Sequence, residues 1–182
     1  GNVTIDDNSV TGNAAGGLVV NLNNTSGGTI SLAQLSVSNN TVSGSPGVGI
    51  DVLLNRIGGT PTVDVNGNSV NANLGDGIHV TVTESPLAEL NLNDNRVEGN
   101  GGDQGVVVNL MDQQIAVMNF LRNVVGGAVL DGVQFNLDNT PILDVNIDGN
   151  VVGGAGGTGG ALADVLPIIR TGFNANTLAS ND

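Results

Sequence analysis

Apolar and polar residues alternate along this chain in short runs that return at a fixed interval. One run is apolar at two positions two apart: Val3 and Ile5, Leu35 and Val37, Val63 and Val65, Leu90 and Leu92, Met118 and Phe120, Val145 and Ile147, then Thr171 and Phe173, where only the second is apolar. The residue between each pair is polar or small: Thr4, Ser36, Asp64, Asn91, Asn119, Asn146 and Gly172. A second run follows a glycine and is apolar at its first, third and fifth positions. It places Leu18, Val20 and Leu22 after Gly17, Ile50, Val52 and Leu54 after Gly49, and Ile78, Val80 and Val82 after Gly77. Val106, Val108 and Leu110 follow Gly105, Val133, Phe135 and Leu137 follow Gly132, and a weaker Ala161, Ala163 and Val165 follow Gly160. Period two predicts β-strands with one buried face. No apolar row recurs at 3.6, so helix is expected to be nearly absent.

Between the two runs stands a phrase N-x-V. It occurs at Asn8-Ser9-Val10, Asn40-Thr41-Val42, Asn68-Ser69-Val70, Asn95-Arg96-Val97, Asn123-Val124-Val125 and Asn150-Val151-Val152, and as Asn176-Thr177-Leu178 at the end. The asparagines are 32, 28, 27, 28, 27 and 26 residues apart. A repeat of that length is one supersecondary unit that cannot bury its apolar residues alone, whereas a stack of them makes a continuous core. Each coil then has two clear strands and a short third segment. Successive coils pair in parallel, about 4.8 Å apart. The sequence thus predicts an all-β fold, a right-handed parallel β-helix (β-solenoid) of about six to seven coils of 26–28 residues, in a single domain over 1–182. The right hand follows from the general crossover rule.

Two positions in the repeat carry further expectations. The asparagine tolerates left-handed backbone and, stacked in register, donates its amide to one neighbour and accepts from the other. From each asparagine to the next glycine the distance is 9 or 10 residues, but from glycine to the next asparagine it is 23, 19, 18, 18, 18 and 16. Length variation therefore sits in one connection, after the glycine-led strand. That edge is where binding loops are expected.

Composition narrows the classes. The 182 residues carry 17 acids against four arginines (Arg56, Arg96, Arg122 and Arg170) and no lysine, for a net charge of −13. Phosphate backbones and anionic membrane surfaces are repelled, so neither nucleic acid nor membrane insertion is expected. There is no cysteine, hence no disulfide and no thiolate metal site. Gly is 29 of 182, which suits many tight turns.

The phrase from Val3 to Asn13, followed by Gly17 and its alternation, resembles the right-handed parallel β-helix repeat of the pectate-lyase-like superfamily, and so does Val63 to Val70 followed by Gly77. The resemblance spans essentially all 182 residues. It implies the fold; its members include enzymes, adhesins and passive stalks. The superfamily's polysaccharide lyases and hydrolases use clustered carboxylates beside a lysine or arginine. Here the arginines fall at unrelated places in the repeat, Asp6-Asp7 is a lone acidic pair, and His79 is followed by Val80. Phe120, Phe135 and Phe173 fall on inward rows, leaving no aromatic platform for a sugar. The resemblance is therefore to a non-enzymatic member.

Asp76, Asp103 and Asp131 precede the glycine by one or two residues in three successive coils. Stacked, such carboxylates would repel unless a hard cation such as Ca²⁺ bridged them. As turn residues they need no metal. His79 lies between Ile78 and Val80 and points outward, as do Val19, Leu53, Val107, Leu121 and Leu162.

The chain begins and stops within a repeat, with no capping segment visible at either end. The expectation is a segment of a longer repetitive protein or a stacking subunit, with other copies or neighbouring repeats as partners and a carbohydrate or surface ligand as a further one. The expected function is structural: an extracellular or cell-surface stalk, adhesin-like segment or filament subunit, not an enzyme. The alternatives are a fragment of a carbohydrate-active enzyme and a Ca²⁺-stabilised binding module.

Overall fold

A computed structural model of the protein describes residues 1–25, 30–129, 131–153 and 168–171. The described residues contain strands and turns and no helix. The first sheet consists of β1 (Asn2–Asp6), β4 (Gln34–Ser38), β7 (Thr62–Asn66), β10 (Leu87–Asn93), β13 (Ile115–Leu121) and β16 (Ile142–Asp148). The second holds the short strands β2 (Ser9–Thr11), β5 (Thr41–Ser43), β8 (Ser69–Asn71), β11 (Arg96–Glu98), β14 (Val124–Gly126) and β17 (Val151–Val152). The third holds β3 (Leu18–Asn23), β6 (Ile50–Asn55), β9 (Ile78–Thr83), β12 (Gln104–Met111), β15 (Asp131–Asp138) and β18 (Ile168–Thr171). The backbone visits the three sheets in turn and all strand pairs are parallel. The result is a β-solenoid of about five turns.

The inward rows run straight up the stack. In the first sheet Val3, Leu35, Val63, Leu90, Met118 and Val145 are register partners. In the second sheet Val10, Val42, Val70, Val97, Val125 and Val152 are. The valine of N-x-V is thus the single inward residue of a three-residue strand. Most of these residues are fully buried, which is the main stabilising term of a stack with no other core. Phe120 and Phe135 meet edge to face across the interior, 5.4 Å between ring centres.

The glycine that opens each third-sheet strand has a steric reason. A Cβ on Gly49 would meet Val70 Cγ1, the Gly77 carbonyl oxygen at 2.7 Å and Asn73 Nδ2 at 2.8 Å. Gly17, Gly77, Gly105 and Gly132 likewise lie under Val42, Val97, Val125 and Val152. The valine of one coil sits on the glycine of the coil before it.

Three features differ from the sequence-based expectation. The coil count is lower, with six strands per sheet and about five turns rather than six to seven coils; the last phrase, at Asn176, lies outside the described residues. The sixth place in the third sheet is taken by β18, which pairs with Gln134–Leu137, whereas the spacing predicts Gly160 to Val165 there and assigns Thr171 to the first sheet. The glycine-led phrase from Gly160 to Val165 itself lies outside the described residues. Finally, Val107, expected outward and exposed, is buried at 5%.

An additional inward row was not anticipated. Leu87, Ile115 and Ile142 are buried register partners at the start of first-sheet strands. Leu90 comes three positions after Leu87, so the alternation is broken there and period two cannot find it.

Candidate functional site

The corner between the first and second sheets is always two residues long: 7–8, 39–40, 67–68, 94–95, 122–123 and 149–150. Its first residue is left-handed in every coil: Asp7, Asn39, Gly67, Asp94, Arg122 and Gly149. Its second is the N-x-V asparagine. Asn68 shows the full pattern. Its Oδ1 accepts from the Asn40 backbone N–H (3.0 Å) and Nδ2 (3.1 Å), and its Nδ2 donates to the Val37 carbonyl (2.9 Å) and to Asn95 Oδ1 (3.0 Å). The ladder continues from Asn8 through Asn150. It satisfies polar groups that the tight corner removes from water.

A second asparagine ladder lies at the corner between the second and third sheets. Asn73 donates its N–H and Nδ2 to Asn100 Oδ1, and Asn73 and Asn100 donate to the Val42 and Val70 carbonyls. Ser45 occupies the same position one coil earlier; it donates its N–H to Asn73 Oδ1, but its own Oγ is buried with no partner. The signal was present as the final Asn of Val3 to Asn13, but its decay to Ser45 and Ala128 hides it. At the third corner, Ser85 Oγ accepts from the Ile57 N–H, and Gln113 Oε1 from the Ser85 N–H. Unlike residues share that role, so no repeating letter marks it.

The length-variable connection is the one between the third and first sheets, spanning 24–33, 56–61, 84–86, 112–114 and 139–141. It carries the ion pair Arg56–Glu84 at 3.0 Å. Arg122–Asp94, at 2.7 Å, bridges coils at the first corner, and Arg96–Glu98, at 2.6 Å, lies on one strand. The hydrogen bond from the Arg122 guanidinium holds the Asp94 carboxyl below its ordinary range, and that to Glu84 raises Arg56.

The candidate carboxylate row does not form one line. Asp131 is the register partner of Gln104, and Asp76 Oδ1 accepts from the Gln104 backbone N–H at 3.0 Å. Asp103 is one position earlier, out of that line, and its carbonyl accepts from the Asp131 N–H at 3.0 Å. Among the described residues, no group of three or more His, Cys, Asp or Glu side chains is placed to hold a metal ion. His79 faces outward and its Nε2 is 2.7 Å from Asn109 Nδ2. Asp6 Oδ1 accepts from the Asp7 N–H and Asn39 Nδ2. Phe173 and Leu162 lie outside the described residues.

The outer face of the first sheet brings together two carboxylates that the sequence did not single out. Asn91, which is 8% exposed, donates its Nδ2 to Asp64 Oδ1 at 2.9 Å and to Glu89 Oε2 at 3.2 Å. Gln34 Nε2 donates to Asp64 Oδ2 at 3.0 Å. Below them Asn146 donates to Asn119, and Asn119 to Asn91 Oδ1. Glu89 is diagonal to Asp64, since Asn91 is the register partner of Asp64. Repeat-position matching cannot find a pair formed across a diagonal.

The fold defines the class: an all-parallel β-solenoid whose polar groups bond along the stacking axis. No family model matches the sequence, no curated protein matches it, and no solved structure matches it.

Proposed function

We propose that this protein is a structural β-solenoid, a non-enzymatic relative of the pectate-lyase-like parallel β-helix proteins that serves as an extracellular or cell-surface stalk, adhesin-like segment or filament subunit. The observation that carries the reading is where its functional groups are committed. Arg56, Arg122 and His79, the residues best suited to catalysis, are each engaged by a residue of an adjacent coil, and both asparagine ladders bond coil to coil. Chemistry spent in that way makes a rigid rod. Electron micrographs of the purified protein are expected to show short rods or longer filaments, and incubation with acidic polysaccharides to release no reducing ends. Cleavage that is lost on substituting one acid would overturn the reading.

A second reading rests on the Asp64–Glu89 pair. Two carboxylates held by one buried amide on an open sheet face are the raw material of glycoside hydrolysis. Asp64→Asn and Glu89→Gln separate the two readings, because polysaccharide turnover that falls with either substitution favours the enzyme.

A further inference from the structure

The sequence contains two asparagine–glycine pairs, Asn66-Gly67 and Asn100-Gly101. Such pairs are prone to spontaneous cyclisation, because glycine puts no substituent in the way of its own nitrogen. The glycine backbone nitrogen loses its proton to hydroxide and attacks the asparagine Cγ. The new bond between that nitrogen and Cγ closes a succinimide as the bond from Cγ to Nδ2 breaks and ammonia leaves. Water then opens the ring to aspartate or isoaspartate.

In the folded protein both nucleophiles are occupied. The Gly67 N–H donates to the Asn93 carbonyl at 2.9 Å, and the Gly101 N–H to the Asn73 carbonyl at 2.6 Å. Both bonds join one coil to the next. A proton held in such a bond exchanges with solvent only when the bond opens, and cyclisation needs the same proton removed. The pairs differ in how tightly the asparagine is held. Asn100 is 3% exposed; its Oδ1 accepts twice from Asn73 and its Nδ2 donates to Val70. Asn66 is half-buried; its Oδ1 accepts from the Asn93 N–H at 2.8 Å, and its Nδ2 reaches Asp64 Oδ1 at 3.5 Å. The Asn93 N–H also polarises the Cγ–Oδ1 bond of Asn66, which eases attack once Gly67 is released.

We propose that Asn66-Gly67 is the protein's intrinsic modification site, and that isoaspartate forms there only when the rung between Gly67 and Asn93 opens. Isoaspartate adds one carbon to the backbone at residue 66, the last of β7 and directly before the corner at 67–68, so that rung cannot close as before. Conversion at position 66 therefore records how often this part of the solenoid has opened.

The test is to incubate the whole protein at mildly alkaline pH and map deamidated peptides over time, natively and in denaturing urea. Native conversion at position 66 is expected to be at least roughly a hundredfold slower than in the unfolded state, to precede conversion at position 100, and to accelerate in urea below the unfolding transition. Leu92→Ala, which loosens the adjacent core, is expected to accelerate it too. Equal rates in the folded and unfolded states, earlier conversion at position 100, or a native rate unmoved by sub-denaturing urea would each overturn the proposal.

Discussion

Val70 sits directly on Gly49, its Cγ1 filling the space a Cβ would need. The two residues belong to different coils and to the two phrases that define the repeat. Gly49→Ala is expected to destabilise the fold by about 1–3 kcal/mol through overpacking. Adding Val70→Ala should recover part of that loss, since the methyl group then has room on one side. The recovery should be partial, because the Gly77 carbonyl remains 2.7 Å from the new Cβ. A double-mutant cycle in denaturant measures the coupling.

Asn68 is bonded on both sides and buried, whereas Asn8 is exposed and donates to one neighbouring coil. Asn68→Ala leaves the buried Asn40 N–H without a partner and takes the side-chain donor from the Val37 carbonyl, and is expected to cost about 2–3 kcal/mol. Asn8→Ala should cost about 1 kcal/mol. Equal losses, read from unfolding midpoints, would remove the ladder as a stabilising element.

The second ladder can be completed. Ser45→Asn offers a donor long enough to bond the preceding coil, as Asn73 and Asn100 do, and removes a buried hydroxyl without a partner. A gain of about 1 kcal/mol is expected. Ala72 is left-handed at φ 53° where neighbouring coils carry Gly44 and Gly99. Ala72→Gly should add about 1 kcal/mol by relieving that conformation. Both are measured as shifts in midpoint at unchanged slope.

Asp94 is held below its ordinary carboxyl range by Arg122. A folded-state pKa below the unfolded one stabilises the fold at pH values above the unfolded value, about 3.9, and the contribution is lost as pH falls through the folded value. Arg122→Gln should therefore lower stability slightly at pH 6 and have less effect at pH 3. The pair is exposed, so added salt should shrink the difference at pH 6. Unfolding midpoints at the two pH values, with and without salt, provide the check.

The strand rows and the first ladder were legible in the sequence because each depends on a residue type repeated at one place. Val42, Val70 and Val97 could be counted and so could Asn40, Asn68 and Asn95. What escaped is what the repeat fills with unlike residues. Ser85 and Gln113 do one job with different atoms, and Leu87 enters the core out of step with Leu90. The glycine that opens each strand was visible, but its cause was not, since Val70 belongs to the coil after that of Gly49 and is 21 residues further along the chain. Asp64 and Glu89 meet across a diagonal, a relation that register fixes and spacing does not.

Every ladder asparagine with neighbours on both sides turns its Oδ1 toward the preceding coil and its backbone N–H toward the following one. Any coil thus presents the same two surfaces as any other, and the rod has a direction as well as a length. Its length is then quantised. Excising residues 41–68 would join Asn40 to Ser69 and hand Asn40 the partner Asn95 in place of Asn68, shortening the rod by one step of about 4.8 Å with all three sheets in phase. A cut of half a turn would leave the inward rows facing water. Such a rod can be rescaled by whole turns without redesign of any contact between them.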